Sequence, residues 1–116
     1  MVVSIVGTGM YLPPYRVTNA DLGRIYPINP RLIDKVFGID ERRYSYDFEN
    51  WQMRPGEYDS DMGERAARAA LENAGVAVGD IDAFIYTTST PDYIMPDSAC
   101  DLHERLGASE DAAAFF

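Results

Sequence analysis

Cysteine, histidine and tryptophan are scarce in this sequence, and each occurs once among 116 residues. One cysteine cannot form an intramolecular disulfide, which favours a reducing compartment, the cytoplasm. One cysteine and one histidine are also too few for the usual structural zinc sites, which take four such ligands. We therefore expect a cytoplasmic protein without a metal site.

Long apolar runs and an excess of positive charge are absent as well. No apolar run approaches the roughly 18 residues of a membrane-spanning helix, and the start, MVVSIVGTGMYLPP, lacks the features of a signal peptide. Ten Lys and Arg residues stand against 19 Asp and Glu, for a net charge of −9. This balance disfavours nucleic acid and anionic membranes as partners. The basic residues cluster between Arg16 and Arg54, as a solvated surface or as a rim for an acidic or phosphate-bearing partner.

What is present predicts one packed α/β domain, since 47% of the residues are hydrophobic and 25% are charged. VVSIVGTG and DIDAFIYTTST predict buried strands, and the final AAAFF predicts a third. The helices are predicted over Ala20–Ile25 with Asn19 as cap, over PRLIDKVF between Asn29 and Gly38, from Ser60 or Asp61 to Gly75, and from Pro96–Asp97 to Gly107. DERRYSYDFENWQMRPGEYDSD has no sustained period, which predicts a long loop.

A glycine pair after the first strand suggests a nucleotide-binding loop, but the pattern is incomplete. Gly7 and Gly9 would need a third glycine at position 12, which is Leu12 and is followed by Pro13 and Pro14. No helix can begin at these prolines. We interpret the two glycines as sites of a tight backbone turn.

Cys100 and His103 are three residues apart on the last predicted helix and share roughly one face. They form either a thiol with its base, aided by the start of the helix, or part of a packing surface. The apolar stripe to which His103 belongs favours packing; its other members are Ala99, Leu102 and Leu106. The carboxylates are scattered, without an evident acid–base pair.

Several phrases occur together in one order: IVGTGMYLPPYRVTNADL, FGIDERR, MGERAARAALENAG, DIDAFIYTTSTPDYIMPDSACDLHERLGA and AAFF. In this series the chain resembles the N-terminal part of β-ketoacyl-acyl-carrier-protein synthase III and its relatives in the thiolase-like superfamily. The resemblance covers nearly all of residues 1–116, apart from a longer loop around Asp47–Ser60. It implies the N-terminal portion of the first of two similar α/β halves, each a mixed sheet covered by helices. Residues 1–116 would be incomplete without the following segment.

The resemblance also implies an activity: acyl transfer from a thioester to a cysteine, then decarboxylative Claisen condensation of fatty-acid or polyketide type. We expect no cofactor. A nucleophilic cysteine, a histidine and an asparagine carry the family's chemistry, and the cysteine is expected just beyond Phe116. The implied partners are an acyl-CoA or acyl carrier protein thioester, the remainder of the enzyme or a second chain, and a second copy in a homodimer. Two alternatives remain: a same-fold acyltransferase that forms an ester or amide, and a non-catalytic partner subunit.

Three substrate-binding positions follow from the resemblance. The family's tryptophan and arginine, which hold the adenine end of coenzyme A, correspond to Leu32 and Val36. Their replacement disfavours an acetyl-CoA primer and favours another donor such as an acyl carrier protein. Met95 corresponds to a bulky residue that closes the acyl pocket of the partner subunit, so we expect it to influence acyl-chain length; packing within one subunit is the alternative.

Overall fold

The computed structural model describes residues 2–116, which form four α-helices and six short strands. The helices are α1 (Asn19–Ile25), α2 (Pro30–Phe37), α3 (Asp59–Ala74) and α4 (Ser98–Leu106), with one 3₁₀ turn at Val78–Asp80. The strands are β1 (Arg16–Thr18), β2 (Glu41–Arg43), β3 (Tyr46–Asp47), β4 (Gln52–Met53), β5 (Ala83–Ile85) and β6 (Ala113–Phe115). None of the helices in this range combines the length and apolar character needed to cross a membrane.

The helix boundaries follow local capping signals. Helix α2 spans the eight residues predicted, because the Asn29 side chain accepts the Arg31 N–H, Pro30 fits the first turn and Gly38 is left-handed at φ 61°. Helix α1 begins one residue early, because its cap is Thr18 and not the predicted Asn19. Helix α3 likewise begins at Asp59, before the predicted caps.

The chain divides into two compact units. We call Leu12–Glu57 the aromatic unit, after its core, and we call residues 2–11 with Tyr58–Phe116 the helix–sheet unit. The seven basic residues of the aromatic unit are balanced by seven acidic ones, so the net negative charge of the chain resides in the helix–sheet unit.

In the aromatic unit, the predicted long loop contains three strands, and that prediction is wrong. β1 pairs antiparallel with β2, and β3 pairs with β4 in a small hairpin. The buried ring of Phe48 packs edge-on against three tyrosine rings, those of Tyr26, Tyr44 and Tyr46. These ring contacts hold the segment in place, although its apolar residues do not follow the periodic spacing of a helix or strand. At the tip of the hairpin, Trp51 is left-handed at φ 53° and 62% exposed.

In the helix–sheet unit, β5 and β6 form a parallel pair, in register from Ala83 with Ala113 to Ile85 with Phe115. Helix α4 connects them, as parallel pairing requires. The core is formed by Phe84, Leu102 and Leu106. Phe84 is buried, whereas Ile85 on the opposite face is 78% exposed. We expected β5 to be buried on both faces. Among the described residues, only the face that carries Phe84 is covered.

The first predicted strand, over residues 2–9, is not observed, because no described strand pairs with it. Part of this segment instead lies against α3. A Cβ added to Gly9 would be 2.3 Å from the Ala66 oxygen, and one on Gly7 would be 2.6 Å from the Ala74 Cβ. Neither glycine has a positive φ. The two glycines therefore permit close approach to a helix and do not form the tight turn we predicted.

Candidate functional site

Two of the predicted substrate-binding residues, Leu32 and Val36, lie one turn apart on α2 and share a face. Leu32 is 55% exposed and Val36 is 60% exposed. Ile33, on another side of the helix, packs against the core of the aromatic unit and holds α2 in place. Leu32 and Val36 therefore present an accessible aliphatic surface, with no ring for stacking and no guanidinium.

Two cations flank this aliphatic surface. Arg31 and Lys35 are exposed and also stand four residues apart, so they form a row beside Leu32 and Val36. An elongated surface with apolar and positive rows suits a ligand that carries both apolar and negative groups.

Met95, the third predicted residue, lies in the helix–sheet unit, in the loop between β5 and α4. It is 80% exposed, and the neighbouring Tyr93 and Ile94 are exposed as well. The Met95–Pro96 peptide bond is cis. These three consecutive apolar side chains form the tip of the loop, which we call the apolar tip.

The loop is tied to the start of α3 by Asp92, directly before the apolar tip. One carboxylate oxygen accepts the Asp59 N–H at 3.0 Å, and the other accepts the Ser60 N–H at 2.8 Å. The first N–H groups of a helix have no partner within it, so Asp92 satisfies two of them from a distant part of the chain. Its charge also complements the positive end of the helix dipole.

A second tie joins the start of the same loop to Asp59. The Tyr86 hydroxyl lies 2.9 Å from a carboxylate oxygen of Asp59, and the Thr88 hydroxyl donates to that carboxylate at 3.2 Å. Tyr86 also lies against Gly63, where an added Cβ would be 2.6 Å from the hydroxyl oxygen. At the other end of the loop, Asp97 accepts the Cys100 N–H at 2.9 Å and caps α4.

The protonation states fit these contacts. Burial opposes ionisation of Asp92, but hydrogen bonds from the Ser60 side chain and from the amides of Ser60 and Asp59 hold its pKa below the ordinary value. Arg105 adds to this effect. Burial, reinforced by the hydrogen bond to Asp59, raises the pKa of Tyr86. Asp92 is thus an anion and Tyr86 a neutral donor near neutral pH.

Cys100 and His103 do not form an activated thiol and base. A hydrogen bond to Asp97, followed by desolvation, raises the pKa of the Cys100 thiol. The His103 Nε2 lies 2.9 Å from the Ser109 carbonyl oxygen. The interpretation of Cys100 as a packed small hydrophobe is also wrong, because Cys100 is exposed. Helix α4 buries Ala99, Leu102 and Leu106, and Cys100 lies away from this stripe.

The structure places Leu32 and Val36 together on α2, and it places Met95 in the other unit. Sequence analysis missed Asp92, which lies 32 residues from its partner Ser60. The signal in the sequence was the position of this aspartate in PDYIMP, a turn with proline at both ends. Among residues 2–116, no three His, Cys, Asp or Glu side chains are grouped as metal ligands.

Comparison with known proteins identifies relatives along nearly the whole chain. The β-ketoacyl-[acyl-carrier-protein] synthase III of Thiobacillus denitrificans is 41% identical over 111 residues, which cover 96% of this chain and 32% of that protein. The chain thus spans about a third of the length of the curated relatives that it matches. No protein-family model matches the sequence.

Solved structures give the same result. The 3-oxoacyl-[acyl-carrier-protein] synthase III of Aquifex aeolicus matches with a TM-score of 0.82 and 32% identity, over 97% of this chain and 33% of that one. The priming β-ketosynthase of the R1128 polyketide pathway matches with a TM-score of 0.81 and 29% identity, over 96% and 30% of the respective chains. The resemblance and the thiolase-like fold are therefore confirmed: the chain is homologous to about a third of a synthase III.

Proposed function

We propose that this chain is part of an acyl-thioester condensing enzyme of fatty-acid or polyketide type. The observation that supports the proposal most directly is the 41% identity to a synthase III over 96% of the chain. In the proposed reaction, a cysteine thiolate attacks the acyl thioester and the donor thiol leaves. A malonyl-carrier thioester then loses CO₂, its carbanion attacks the acyl-enzyme, and the cysteine is released as thiolate.

The proposed nucleophile follows Phe116, and the sheet supports this position. Because β5 and β6 are parallel, their carboxyl ends lie at one edge, where active sites of α/β sheets form. The Tyr86 N–H donates to the Phe115 carbonyl oxygen at 2.9 Å across this edge. A residue just after Phe116 would therefore lie near the start of the loop that carries Met95.

We assign to Met95 the role of an acyl-pocket wall, contributed to the partner subunit of a homodimer. Its 80% exposure in the single chain leaves it free to contact another subunit. A Met95→Phe variant of the full-length enzyme should shift the preferred acyl-chain length. An unchanged chain-length profile would contradict this role.

For the donor, we propose an acyl carrier protein in preference to acyl-CoA, at the surface formed by Leu32 and Val36. The aliphatic side chains cannot stack on adenine or bind a phosphate in the way that tryptophan and arginine can. We also retain a cytoplasmic location, which the single cysteine favours, and no nucleic acid or membrane as partner, which the net charge of −9 favours. The proposal includes no cofactor.

The proposal is tested with the full-length protein that contains this chain. Intact-protein mass spectrometry after incubation with acyl-CoA or acyl carrier protein thioesters should show one acyl group on a cysteine after Phe116. Addition of malonyl-carrier should release it as a β-ketoacyl product. A product that is an ester or amide would indicate the alternative acyltransferase, and the absence of any acyl-enzyme would indicate a non-catalytic subunit.

A further inference from the structure

We propose that Asp92 is a positioning residue that holds Met95 in place and so determines acyl-chain selectivity. This inference rests on the proposed function, because it concerns how that enzyme's acyl pocket is bounded. It depends on the hydrogen bonds of Asp92 with Asp59 and Ser60, which join distant parts of the chain.

The loop between β5 and α4 is fixed at its ends and unsupported at its tip. Tyr86 and Thr88 are hydrogen-bonded to Asp59, and Asp97 caps α4. Between these ends, Asp92 binds two amides of α3 through both carboxylate oxygens. Met95 follows three residues later.

The apolar tip after Asp92 is exposed along its whole length, with Ile94 at 93% and Met95 at 80% exposure. Side chains in this state are not positioned by burial in their own chain. Their position therefore depends on how the loop is held, and Asp92, directly before the tip, ties the loop to α3 through hydrogen bonds from the Asp59 and Ser60 N–H groups to its carboxylate. Asp92 is charged and meets a helix start, so these hydrogen bonds are stronger than neutral ones.

The effect of losing Asp92 follows from how acyl pockets discriminate. One methylene in an apolar pocket changes kcat/KM by roughly 10-fold to 200-fold. If the pocket wall becomes mobile, the enzyme should lose this preference between acyl donors of different chain length. In an Asp92→Ala variant of the full-length enzyme, we expect the ratio of kcat/KM for a short and a longer acyl donor to fall by about tenfold. An Asp92→Asn variant, which keeps one acceptor oxygen, should give an intermediate ratio.

A matched control separates positioning from general loss of stability. Asp61 also binds at the start of α3, where it accepts the Tyr58 N–H at 3.2 Å, and its carboxylate pairs with Arg105. An Asp61→Ala variant should weaken the same helix end but leave the acyl-chain ratio unchanged. A change in the ratio as large as that of Asp92→Ala would contradict a specific role for Asp92.

A double-mutant cycle with Met95→Ala tests whether Asp92 acts through the tip. If it does, Asp92→Ala should change the acyl-chain ratio in the wild type and have no further effect in the Met95→Ala background. Equal effects in both backgrounds, or an active Asp92→Asn enzyme with the wild-type ratio, would overturn the inference. Absence of acyl transfer by the wild type would instead refute the proposed function.

Discussion

Substitution of Gly9 by alanine tests the close approach of the N-terminal segment to α3. The added Cβ would lie 2.3 Å from the Ala66 oxygen, 2.3 Å from the Ala70 nitrogen and 2.8 Å from the Ala69 carbonyl carbon. All three are backbone atoms of a helix, so no side-chain rotation can relieve the overlap. The segment must move away by about 1 Å to reach ordinary van der Waals separation.

The cost of this movement can be estimated from known effects. Overpacking of a well-packed contact typically costs about 1–3 kcal/mol. The hydrogen bond from the Thr8 N–H to the Asn73 side chain, 3.2 Å long, would be weakened too, at about 0.5–1.5 kcal/mol. Replacing glycine by alanine restricts the unfolded chain, which returns about 0.4–1 kcal/mol. We expect the free energy of unfolding to fall by about 2 kcal/mol, the balance of these three effects.

The measurement is urea denaturation of the full-length protein, with Gly79→Ala as the matched control. Nothing lies within 4 Å of a Cβ added to Gly79, and its φ is not positive. The control should therefore be neutral or slightly stabilising. If Gly9→Ala and Gly79→Ala give the same free energy of unfolding, residues 7–9 do not pack against α3 as closely as described.

Three further predictions concern the donor surface, the hairpin and the loop anchor. A Leu32→Trp/Val36→Arg double variant should increase kcat/KM for acyl-CoA relative to acyl carrier protein, and no change in this ratio would contradict the donor assignment. Trp51→Gly should be more stable than Trp51→Ala by about 1 kcal/mol in chemical denaturation, because glycine relieves the left-handed backbone and alanine does not; equal stabilities would show that the turn is unstrained. The pKa of Asp92 is lower in the folded state than in the unfolded state, where it is about 3.9. The Asp92 charge therefore stabilises the fold above pH about 3.9, and this contribution is lost as the pH falls through the folded-state pKa. The Tm difference between wild type and Asp92→Asn should therefore be largest near neutral pH and shrink in acid; a constant difference would exclude ionised Asp92 as the anchor.

Some features encoded by neighbouring residues were predicted accurately. Helix α2 matches from Pro30 to Phe37, because the cap at Asn29, the proline and the left-handed Gly38 are all local signals. The end of α4 at Gly107 and the strand in AAAFF were also predicted. The family resemblance, confirmed by sequence and structural relatives, supplied the fold.

Features that depend on distant residues were missed. The pairing of β1 with β2 joins residues more than 20 positions apart, and the aromatic contacts of Phe48 have no period. The anchor at Asp92 required knowledge that α3 begins at Asp59. Cys100 was misplaced because a short helix with several apolar residues does not fix which side faces the core.

The helix–sheet unit is discontinuous in sequence, since residues 2–11 and Tyr58–Phe116 flank the aromatic unit. This arrangement affects the order of folding. Pairing of β5 with β6 closes a chain loop of about 30 residues. Contact between Gly9 and Ala66 closes a loop of more than 50 residues. Prior folding of Leu12–Glu57 would shorten that loop and lower its entropic cost. We therefore expect the N-terminal segment to join α3 late, after both the parallel strand pair and the aromatic core have formed.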